Sequence, residues 1–422
     1  MSSLESGRLV LPCSLGGLRV VLVHDWLTGR RGGEKCLEVL GRAFPEAPLF
    51  TLLYRAGSVG PVIEGRAIHT SPLQWVPGIE RRYRWLLPLM PGAAACWRVG
   101  RPDLVVSLSH CVAKAVRVPA GVPHVCYCFT PMRYAWDGRD SYLEGWGDRP
   151  IRRWLVGGVL DRLRAWDRRT AAGVSHFVAI SRTVQERIGR CYGRESEIIE
   201  PPVDTEFYTP AEVVREPYYL VVSALVPYKR VDQAIEACCA AGRRLVVIGE
   251  GPERSELERQ AGPGVTFLGW QPDEVIREHM RRCRALLFPG VEDFGIVPME
   301  ALACGAPVLA LAVGGVAETV DNRVGRLHHE ATAEGLRRSL LSWEADGCPH
   351  DPREARRRAE RFAVRRFEQR LLGYLAGVVE GRVPPSGWLG ADGSRVRFDR
   401  VGSGIRRRRG VGSTLGSGRR PD

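Results

Sequence analysis

The segment Leu18-Arg-Val-Val-Leu-Val-His24, with Thr28-Gly-Arg-Arg-Gly-Gly-Glu-Lys35 after it, decides the fold class of this 422-residue chain. Its first part is an almost continuous aliphatic run, which is typical of a strand buried on both faces of a parallel sheet. A glycine-rich loop follows, and Cys36 to Phe44 have the apolar spacing of a helix. A strand, a glycine loop and a helix in this order predict the opening of a parallel α/β domain.

The same alternation continues along the chain and restarts after a proline-rich segment. Glu200-Pro-Pro-Val-Asp-Thr-Glu-Phe-Tyr-Thr-Pro210 cannot hold a helix. We therefore predict two doubly wound, Rossmann-like α/β domains that face a cleft, with ligands at the carboxyl ends of the strands. The predicted strands are Leu104–Leu108, Val122–Cys128, Phe177–Ile180, Tyr219–Ser223, Leu245–Ile248, Val265–Leu268, Ala285–Phe288 and Pro307–Leu311. The predicted helices are Arg182–Tyr192 (capped by Ser181), Val231–Ala241, Pro252–Ala261, Pro272–Cys283 and Pro298–Cys304.

Domain boundaries follow from these breaks in the pattern. We expect a first domain over residues 1–205 and a second over residues 206–352. An Arg-rich amphipathic helix region over residues 353–382 is expected to return towards the first domain. Residues 383–422 hold nine arginines, three aspartates and nine glycines, so we predict a disordered basic tail there.

The charge of the chain is less informative than its distribution. The net charge is +13, which on its own suggests a polyanionic partner, but +6 of it lies in the predicted tail. We therefore expect no nucleic-acid partner. Only three of the 61 cationic residues are lysines, namely Lys35, Lys114 and Lys229. A lysine in this chain thus indicates a position that favours a compact point charge.

The cysteine pattern and the hydropathy of the chain exclude further classes of protein. The twelve cysteines form no Cys-x-x-Cys motif, so neither a zinc site nor a redox pair is indicated. No apolar run reaches the length of a membrane-spanning helix, and the first residues lack a leader pattern. We expect a cytoplasmic protein with reduced cysteines.

The segment with the most specific chemistry is Ala285-Leu-Leu-Phe-Pro-Gly-Val-Glu-Asp-Phe-Gly-Ile-Val-Pro-Met-Glu-Ala-Leu-Ala-Cys-Gly-Ala-Pro-Val-Leu309. We expect a strand that ends at Pro289 and a short helix whose first position is Pro298, with Glu292 in the loop and Glu300 in the first turn. The amides of Phe294 to Ile296 beside a helix N-terminus suit an anion. Carboxylates next to them suit hydroxyls, so the mixture favours a ligand that carries phosphate and sugar. The alternative is a surface acidic loop before an ordinary helix.

This arrangement resembles the Glu-x7-Glu motif of retaining family 4 glycosyltransferases with the GT-B fold. Further segments extend the resemblance over most of residues 18–380. They are Gly32-Gly33-Glu34, Ser109-His110 with Lys114, Thr130-Pro-Met-Arg-Tyr-Ala-Trp-Asp137, Ser181, Pro201-Pro-Val-Asp204, Val226-Pro-Tyr-Lys-Arg-Val-Asp232, Gly249-Glu-Gly-Pro252, Phe267-Leu-Gly-Trp270 and Gly314-Gly315 with Glu318.

The resemblance implies roles for individual residues. Glu300 is expected to bind the ribose hydroxyls of the nucleotide, and Glu292 to contact the transferred sugar. Lys229 is expected to neutralise the diphosphate leaving group in a reaction that proceeds on one face of the sugar, without a metal or another cofactor. The remaining expected donor-binding residues are Arg230, Phe294, Gly295, Ile296, Gly32 and Gly33, and the expected acceptor-side residues are Arg133, Tyr134 and Asp137.

Two positions depart from the family pattern. Members often have histidine where this chain has Phe129, and many have arginine where it has Ala224. His110 is our candidate for supplying the missing imidazole as a catalytic group. The alternative is a structural histidine at the end of a strand.

The segment Ile79-Glu-Arg-Arg-Tyr-Arg-Trp-Leu-Leu-Pro-Leu-Met90 mixes cations, aromatics and aliphatics. Such a segment can lie on an anionic membrane surface, as in a peripheral enzyme with a lipid-linked acceptor. A partly buried helix with a cationic rim explains it equally well. The run Arg406–Arg409 is expected to be solvated.

The functional hypothesis is a hexosyltransferase of surface polysaccharide synthesis that uses a nucleotide sugar, preferably GDP-mannose, and a saccharide or lipid-linked acceptor at the inner face of the membrane. One alternative is a transferase that uses a UDP-sugar. Another is a sugar phosphorylase or an epimerase on the same fold. A non-enzymatic alternative is a protein that binds anionic surfaces through its basic tail.

Overall fold

The chain folds around two parallel sheets in a computed structural model, which describes residues 11–79, 83–139, 150–390, 392–396, 398–401 and 404–407. The first sheet has the order β3-β2-β1-β4-β5-β6-β7 and the second the order β10-β9-β8-β11-β12-β13, and all pairs are parallel. The first sheet comprises β1 Val20–His24, β2 Leu49–Thr51, β3 Ile68–Thr70, β4 Leu104–Ser109, β5 His124–Cys128, β6 His176–Ala179 and β7 Glu197–Ile198. The second comprises β8 Tyr218–Val222, β9 Arg244–Ile248, β10 Val265–Gly269, β11 Ala285–Phe288, β12 Val308–Leu311 and β13 Gly325–His328.

The α-helices of the described residues flank these sheets. In the first domain they are α1 Gly32–Ala43, α2 Pro61–Glu64, α3 Met90–Ala94, α4 Pro150–Thr170 and α5 Arg182–Tyr192. In the second they are α6 Val231–Ala240, α7 Arg254–Gln260, α8 Asp273–Arg282, α9 Ile296–Ala303 and α10 Ala333–Ala345. The chain continues with α11 Pro352–Glu360 and α12 Val364–Val379. The prediction of two doubly wound α/β domains is confirmed.

Alternation along the central strands places apolar side chains on both faces of each sheet. In β1, Leu22 belongs to the core cluster beneath α1, and Val21 and Val23 belong to the cluster on the opposite face. All five residues of β1 are buried. The sequence missed β2 and β3 because each has only three residues, too few for a periodicity to show.

Two C-terminal helices pack on different domains. Helix α11 packs against α9 of the second domain, whereas α12 lies on the first, where the Phe367 ring is 5.8 Å from that of Tyr127. Between them, Val203 pairs with Ala363 in an isolated bridge, and the Val203 amide donates to the carbonyl of Phe362 at 2.8 Å. The chain therefore crosses between the domains at two adjoining places.

The start of the predicted tail differs from the expectation. The described residues 383–390 and 392–396 pack on the first domain, and Trp388–Leu389 pairs with Arg395–Val396. The Arg194 guanidinium lies 4.5 Å from the centre of the Trp388 ring, and the Glu195 amide donates to the carbonyl of Gly387. Phe398–Val401 pairs with Gly404–Arg407 in the same antiparallel way. Residues 408–422 of the predicted tail lie outside the described residues.

The segment from Ile79 to Met90 turns most of its described apolar side chains inward. Ile79, Leu87 and Met90 are buried in the core of the first domain, and Leu89 is exposed. Residues 80–82 lie outside the described part of the chain. None of the described helices combines the length and apolar content that crossing a bilayer requires.

Candidate functional site

Both sheets reverse their strand order at one point, and the predicted catalytic and donor-binding residues follow the strands at these two points. In the first sheet the reversal lies between β1 and β4, and in the second between β8 and β11. A crevice opens at such a point beyond the carboxyl ends of the strands. His110 follows β4, and the loop that contains Glu292 follows β11.

The glycine loop of the first domain is itself the start of a helix. We predicted that the helix begins at Cys36, but α1 begins at Gly32. A Cβ atom at Gly32 would lie 2.5 Å from Cδ1 of Ile296, and one at Gly33 would lie 3.3 Å from the rings of His24 and Phe129. The missing side chains therefore let a helix N-terminus, with its unsatisfied amides, approach the second domain closely.

The loop after β11, residues 289–295, is named here the acidic loop. Gly295 has a φ of 90°, a left-handed conformation that glycine adopts readily. This turn lets α9 begin at Ile296 rather than at Pro298 as predicted, which places Glu300 in the second turn. Pro298 is tolerated because the first four amides of a helix lack partners within it. Among the described residues, no acceptor takes the amides of Phe294, Gly295 and Ile296.

Close backbone contacts hold the acidic loop in place. A Cβ atom at Gly290 would lie 2.8 Å from Cα of Lys229, so only glycine lets the two segments meet. On the other side, the Gly315 amide donates to the carbonyl of Glu292 at 2.9 Å. The motifs that contain Lys229 and Gly315 thus support the loop from both sides.

Each glutamate of the motif faces one lysine. The Nζ of Lys229 is in ion-pair contact with Glu292, and the Nζ of Lys35 lies 2.6 Å from Oε1 of Glu300. The Glu300 side chain is only 5% exposed, and Lys35 reaches it from the other domain. Lys35 was missing from our predicted site, although the scarcity of lysine in the chain pointed to it.

Burial shifts the pKa values of these two lysines differently. Burial, and after it the positive charge of Arg133, lowers the pKa of Lys229 to about 7, while Asp293 acts in the opposite direction. Burial also acts to lower the pKa of Lys35, but the charge of Glu300 outweighs it and the pKa is raised. Lys35 therefore stays an ammonium ion, whereas Lys229 can take up a proton when an anion binds.

Asp293, which the sequence analysis did not select, connects the acidic loop to the first domain. Its carboxylate accepts a hydrogen bond from Arg133 at 2.7 Å and another from Arg187. Its carbonyl accepts from the hydroxyl of Ser181 at 2.5 Å, and that hydroxyl also caps α5 as predicted. Arg133, expected on the acceptor side, thus holds the acidic loop.

The other expected residues have partners of their own. The Arg230 guanidinium lies 2.9 Å from the carboxylate of Asp232, and both side chains are exposed to solvent. Asp137 binds Arg187 at 2.8 Å and Arg190 at 2.6 Å. Tyr134 is half-buried against the core of the first domain.

His110 is packed among aromatic rings at the end of β4. Its ring lies 4.4 Å from that of Trp26, edge to face, and 6.3 Å from Phe129. Its Nδ1 lies 3.0 Å from Oδ2 of Asp25, a residue that the sequence analysis also missed. Burial lowers the pKa of His110, which Asp25 only partly offsets, and so favours the neutral imidazole.

The arrangement brings ammonium groups and free amides together with carboxylates. No group of three or more histidine, cysteine, aspartate or glutamate side chains within the described ranges is placed to hold a metal ion. Free amides at the starts of α1 and α9 and the ammonium of Lys229 can stabilise a phosphate. The carboxylates of Glu292 and Glu300 can accept hydrogen bonds from hydroxyls.

Two family models and several known proteins match this chain. The model of Glycosyltransferase Family 4 matches residues 30–207, and that of Glycosyl transferases group 1 matches residues 204–363. A GDP-mannose-dependent alpha-(1-6)-phosphatidylinositol dimannoside mannosyltransferase of Mycobacterium tuberculosis is 29% identical over 50% of this chain, which covers 60% of that protein. The D-inositol 3-phosphate glycosyltransferase of Salinispora tropica is 28% identical over 85% of this chain and 84% of its own.

Solved structures share the fold at low sequence identity. The lipopolysaccharide outer core galactosyltransferase WaaB superposes with a TM-score of 0.59 at 14% identity, over 87% of this chain and all of its own. The sucrose-phosphate synthase of Thermosynechococcus elongatus gives a TM-score of 0.63 at 16% identity, over 86% of this chain and all of its own. At such identities the likeness concerns the fold alone.

Proposed function

Because the chain belongs to family 4 of the glycosyltransferases, with the GT-B fold, we propose that it transfers a hexose from a nucleotide sugar to a saccharide or lipid-linked acceptor. One observation carries the proposal. Two glutamates, each paired with a lysine, lie beside the free amides of a helix start in the cleft between two reversal points. This combination suits a ligand that has a diphosphate flanked by two sugars.

The second domain binds the nucleotide, and the first domain completes the binding site. The Glu300 carboxylate accepts hydrogen bonds from the ribose hydroxyls, and Lys35 fixes that carboxylate from across the cleft. The amides of Phe294 to Ile296 and those at the start of α1 surround the phosphates. Glu292 accepts hydrogen bonds from the transferred sugar.

The chemical step depends on charge that develops as the bond between the anomeric carbon and the phosphate breaks. Negative charge grows on the leaving diphosphate, and Lys229 and the fixed amides stabilise it. Positive charge grows on the sugar ring, close to the carboxylate of Glu292. A phosphate oxygen of the leaving group takes the proton of the acceptor hydroxyl on the same face. The reaction then retains the anomeric configuration and needs no covalent enzyme intermediate.

GDP-mannose is the donor that we propose. The support is the dependence on GDP-mannose stated for two mycobacterial phosphatidylinositol mannoside mannosyltransferases that resemble this chain. Each of these similarities covers at most half of the chain. The acceptor of both proteins is a lipid glycoside, which agrees with a saccharide-lipid acceptor for this chain.

Nucleotide release from a panel of GDP- and UDP-sugars tests the activity and the donor together. We expect GDP release from GDP-mannose that requires an acceptor. The Glu300→Gln variant should bind GDP about 10- to 100-fold more weakly, because the ribose loses hydrogen bonds to a charged group. Glu274→Gln, on the exposed side of α8, is the matched control.

Other outcomes of the panel have definite meanings. Release from UDP-sugars alone would overturn the mannose assignment. Formation of a sugar phosphate, or epimerisation of the donor without an acceptor, would replace the transferase with another enzyme of this fold. No reaction with any donor, together with loss of anionic-surface binding after removal of residues 408–422, would favour the non-enzymatic alternative.

We further propose that the first domain docks on an anionic membrane through apolar side chains on one face. Trp75 is 85% exposed and Trp154 is 76% exposed. The segments that carry them cover the same face of the first sheet, because both pack on the core cluster that contains Val21 and Val23. Arg153 is exposed beside Trp154, which suits anionic headgroups.

Vesicle co-sedimentation tests this surface. We expect the chain to bind vesicles of phosphatidylglycerol and phosphatidylcholine, and the variants Trp75→Ser and Trp154→Ser to bind several-fold more weakly. Trp270→Ser is the matched control, since Trp270 is 73% exposed but lies in the second domain. Equal binding by all three variants would contradict the assignment of the surface.

A further inference from the structure

Asp25 is a fully buried carboxylate to which the proposed reaction gives no role. It follows β1 directly, at the reversal point of the first sheet. Its Oδ2 accepts the amides of His110 at 2.6 Å and Cys111 at 2.9 Å, and its Oδ1 accepts those of Val112 at 2.6 Å and Ala113 at 2.7 Å. Asp25 therefore ties four consecutive residues after β4 to the end of β1.

The same carboxylate also faces the ring of His110. The distance from Oδ2 to Nδ1 of His110 is 3.0 Å. This contact is an ion-pair distance and not an aligned hydrogen bond. A carboxylate that accepts four amide hydrogens has no hydrogen to donate, so it favours a proton on the imidazole nitrogen nearest to it. In a neutral ring the proton is then on Nδ1, and Nε2 carries a lone pair.

The second ring nitrogen, Nε2, belongs to a side chain that is 30% exposed, whereas the Asp25 carboxylate near Nδ1 is fully buried. Among the residues that the structure describes, Nε2 makes no hydrogen bond. Trp26 and Phe129 cover parts of the ring, and Phe129 also contacts the position of Gly33 at the start of α1. The ring of His110 thus lies near the start of α1, with Phe129 between it and Gly33.

We propose that Asp25 is a positioning residue that holds His110 with Nδ1 protonated and offers the bare Nε2 to a sugar hydroxyl in the cleft. This inference rests on the proposed glycosyl transfer. Without Asp25 the ring is free to rotate or to carry its proton on Nε2. It would then donate to the hydroxyl oxygen instead of accepting its hydrogen. The hydroxyl belongs either to the transferred hexose or to the acceptor.

Nitrogen-15 NMR of the histidine-labelled full chain tests the tautomer directly. The His110 signal is assigned by its absence in His110→Gln. We expect the two-bond couplings of the wild type to show a protonated Nδ1 and an unprotonated Nε2 at pH 7.5. A wild-type ring protonated at Nε2 would overturn the proposal, and this measurement does not depend on the folding of any variant or on the identity of the donor.

Kinetics test the consequence for turnover. We expect Asp25→Asn to lower kcat about 5- to 20-fold, with GDP affinity within about twofold of the wild type. Because Asp25 acts partly through His110, the same replacement in a His110→Gln background should lower kcat by a clearly smaller factor. An equal factor in both backgrounds would show that Asp25 acts only by holding the backbone of residues 110–113, and would contradict the proposal.

Two assays separate the sources of the hydroxyl. If it belongs to the transferred hexose, Asp25→Asn slows donor hydrolysis without acceptor as much as it slows transfer. If it belongs to the acceptor, only transfer slows and the KM for the acceptor rises. Failure of every donor to react would contradict the proposed function. The NMR measurement would still test the tautomer of His110 independently.

Discussion

We expect the Lys229→Met variant to turn over its donor about 100- to 1,000-fold more slowly than the wild-type chain, the usual effect of removing one fixed donor to a developing oxyanion. The diphosphate gains negative charge as it leaves, and Lys229 is the cation in contact with Glu292. Methionine keeps most of the volume and removes the charge. Steady-state nucleotide release at saturating donor measures the loss.

Two controls distinguish the loss of this cation from a general loss of charge. Arg259→Met removes an exposed cation of the same domain and should leave turnover unchanged.

Lys229→Arg tests whether binding of the diphosphate depends on protonation of Lys229. Because the pKa of Lys229 is about 7, binding of a diphosphate above that pH requires proton uptake, and wild-type GDP affinity falls as the pH rises towards about 9. The arginine variant stays charged and should show no such fall. Equal turnover in Lys229→Met and Arg259→Met would contradict the placement of Lys229.

The sequence predicted the fold and the acidic loop because both depend on local patterns. Buried aliphatic runs marked the central strands, and Glu292 and Glu300 came from one continuous segment. The start of α9 was wrong by two residues, since the left-handed conformation of Gly295 is not visible in a helix pattern. The packed part of the predicted tail also depends on a tertiary contact, that of Trp388 with Arg194.

Residues whose partners lie far away in the sequence could not be found from local patterns. Asp25 binds amides 85 to 88 positions away, and Asp293 binds arginines 106 and 160 positions away. Asp25 belongs to no motif with a fixed spacing, and Asp293 occupies an unspecified position of the Glu-x7-Glu motif. Lys35 was different, because the scarcity of lysine already marked it, and its partner Glu300 was known. Composition bias therefore provided a signal that motif spacing did not.

The same scarcity marks Lys114, and we expect Lys114→Met to destabilise the first domain by about 3–5 kcal/mol, the range for breaking a buried ion pair. Nζ of Lys114 donates to Oδ1 of Asp167 at 2.5 Å, and both side chains are at most 1% exposed. Oδ2 of Asp167 accepts from Trp136 and Tyr192. Without Lys114, a buried negative charge keeps only neutral donors. Urea unfolding followed by circular dichroism measures the loss.

A second replacement shows whether that buried charge is the cause. The double variant Lys114→Met, Asp167→Asn should be more stable than Lys114→Met alone, because an amide oxygen can still accept from Trp136 and Tyr192 without carrying charge. Arg117→Met, on an exposed position three residues further on, should change the free energy of unfolding by less than about 0.5 kcal/mol. If the double variant is less stable than Lys114→Met, lost packing of the lysine side chain, rather than an unpaired carboxylate, determines the cost.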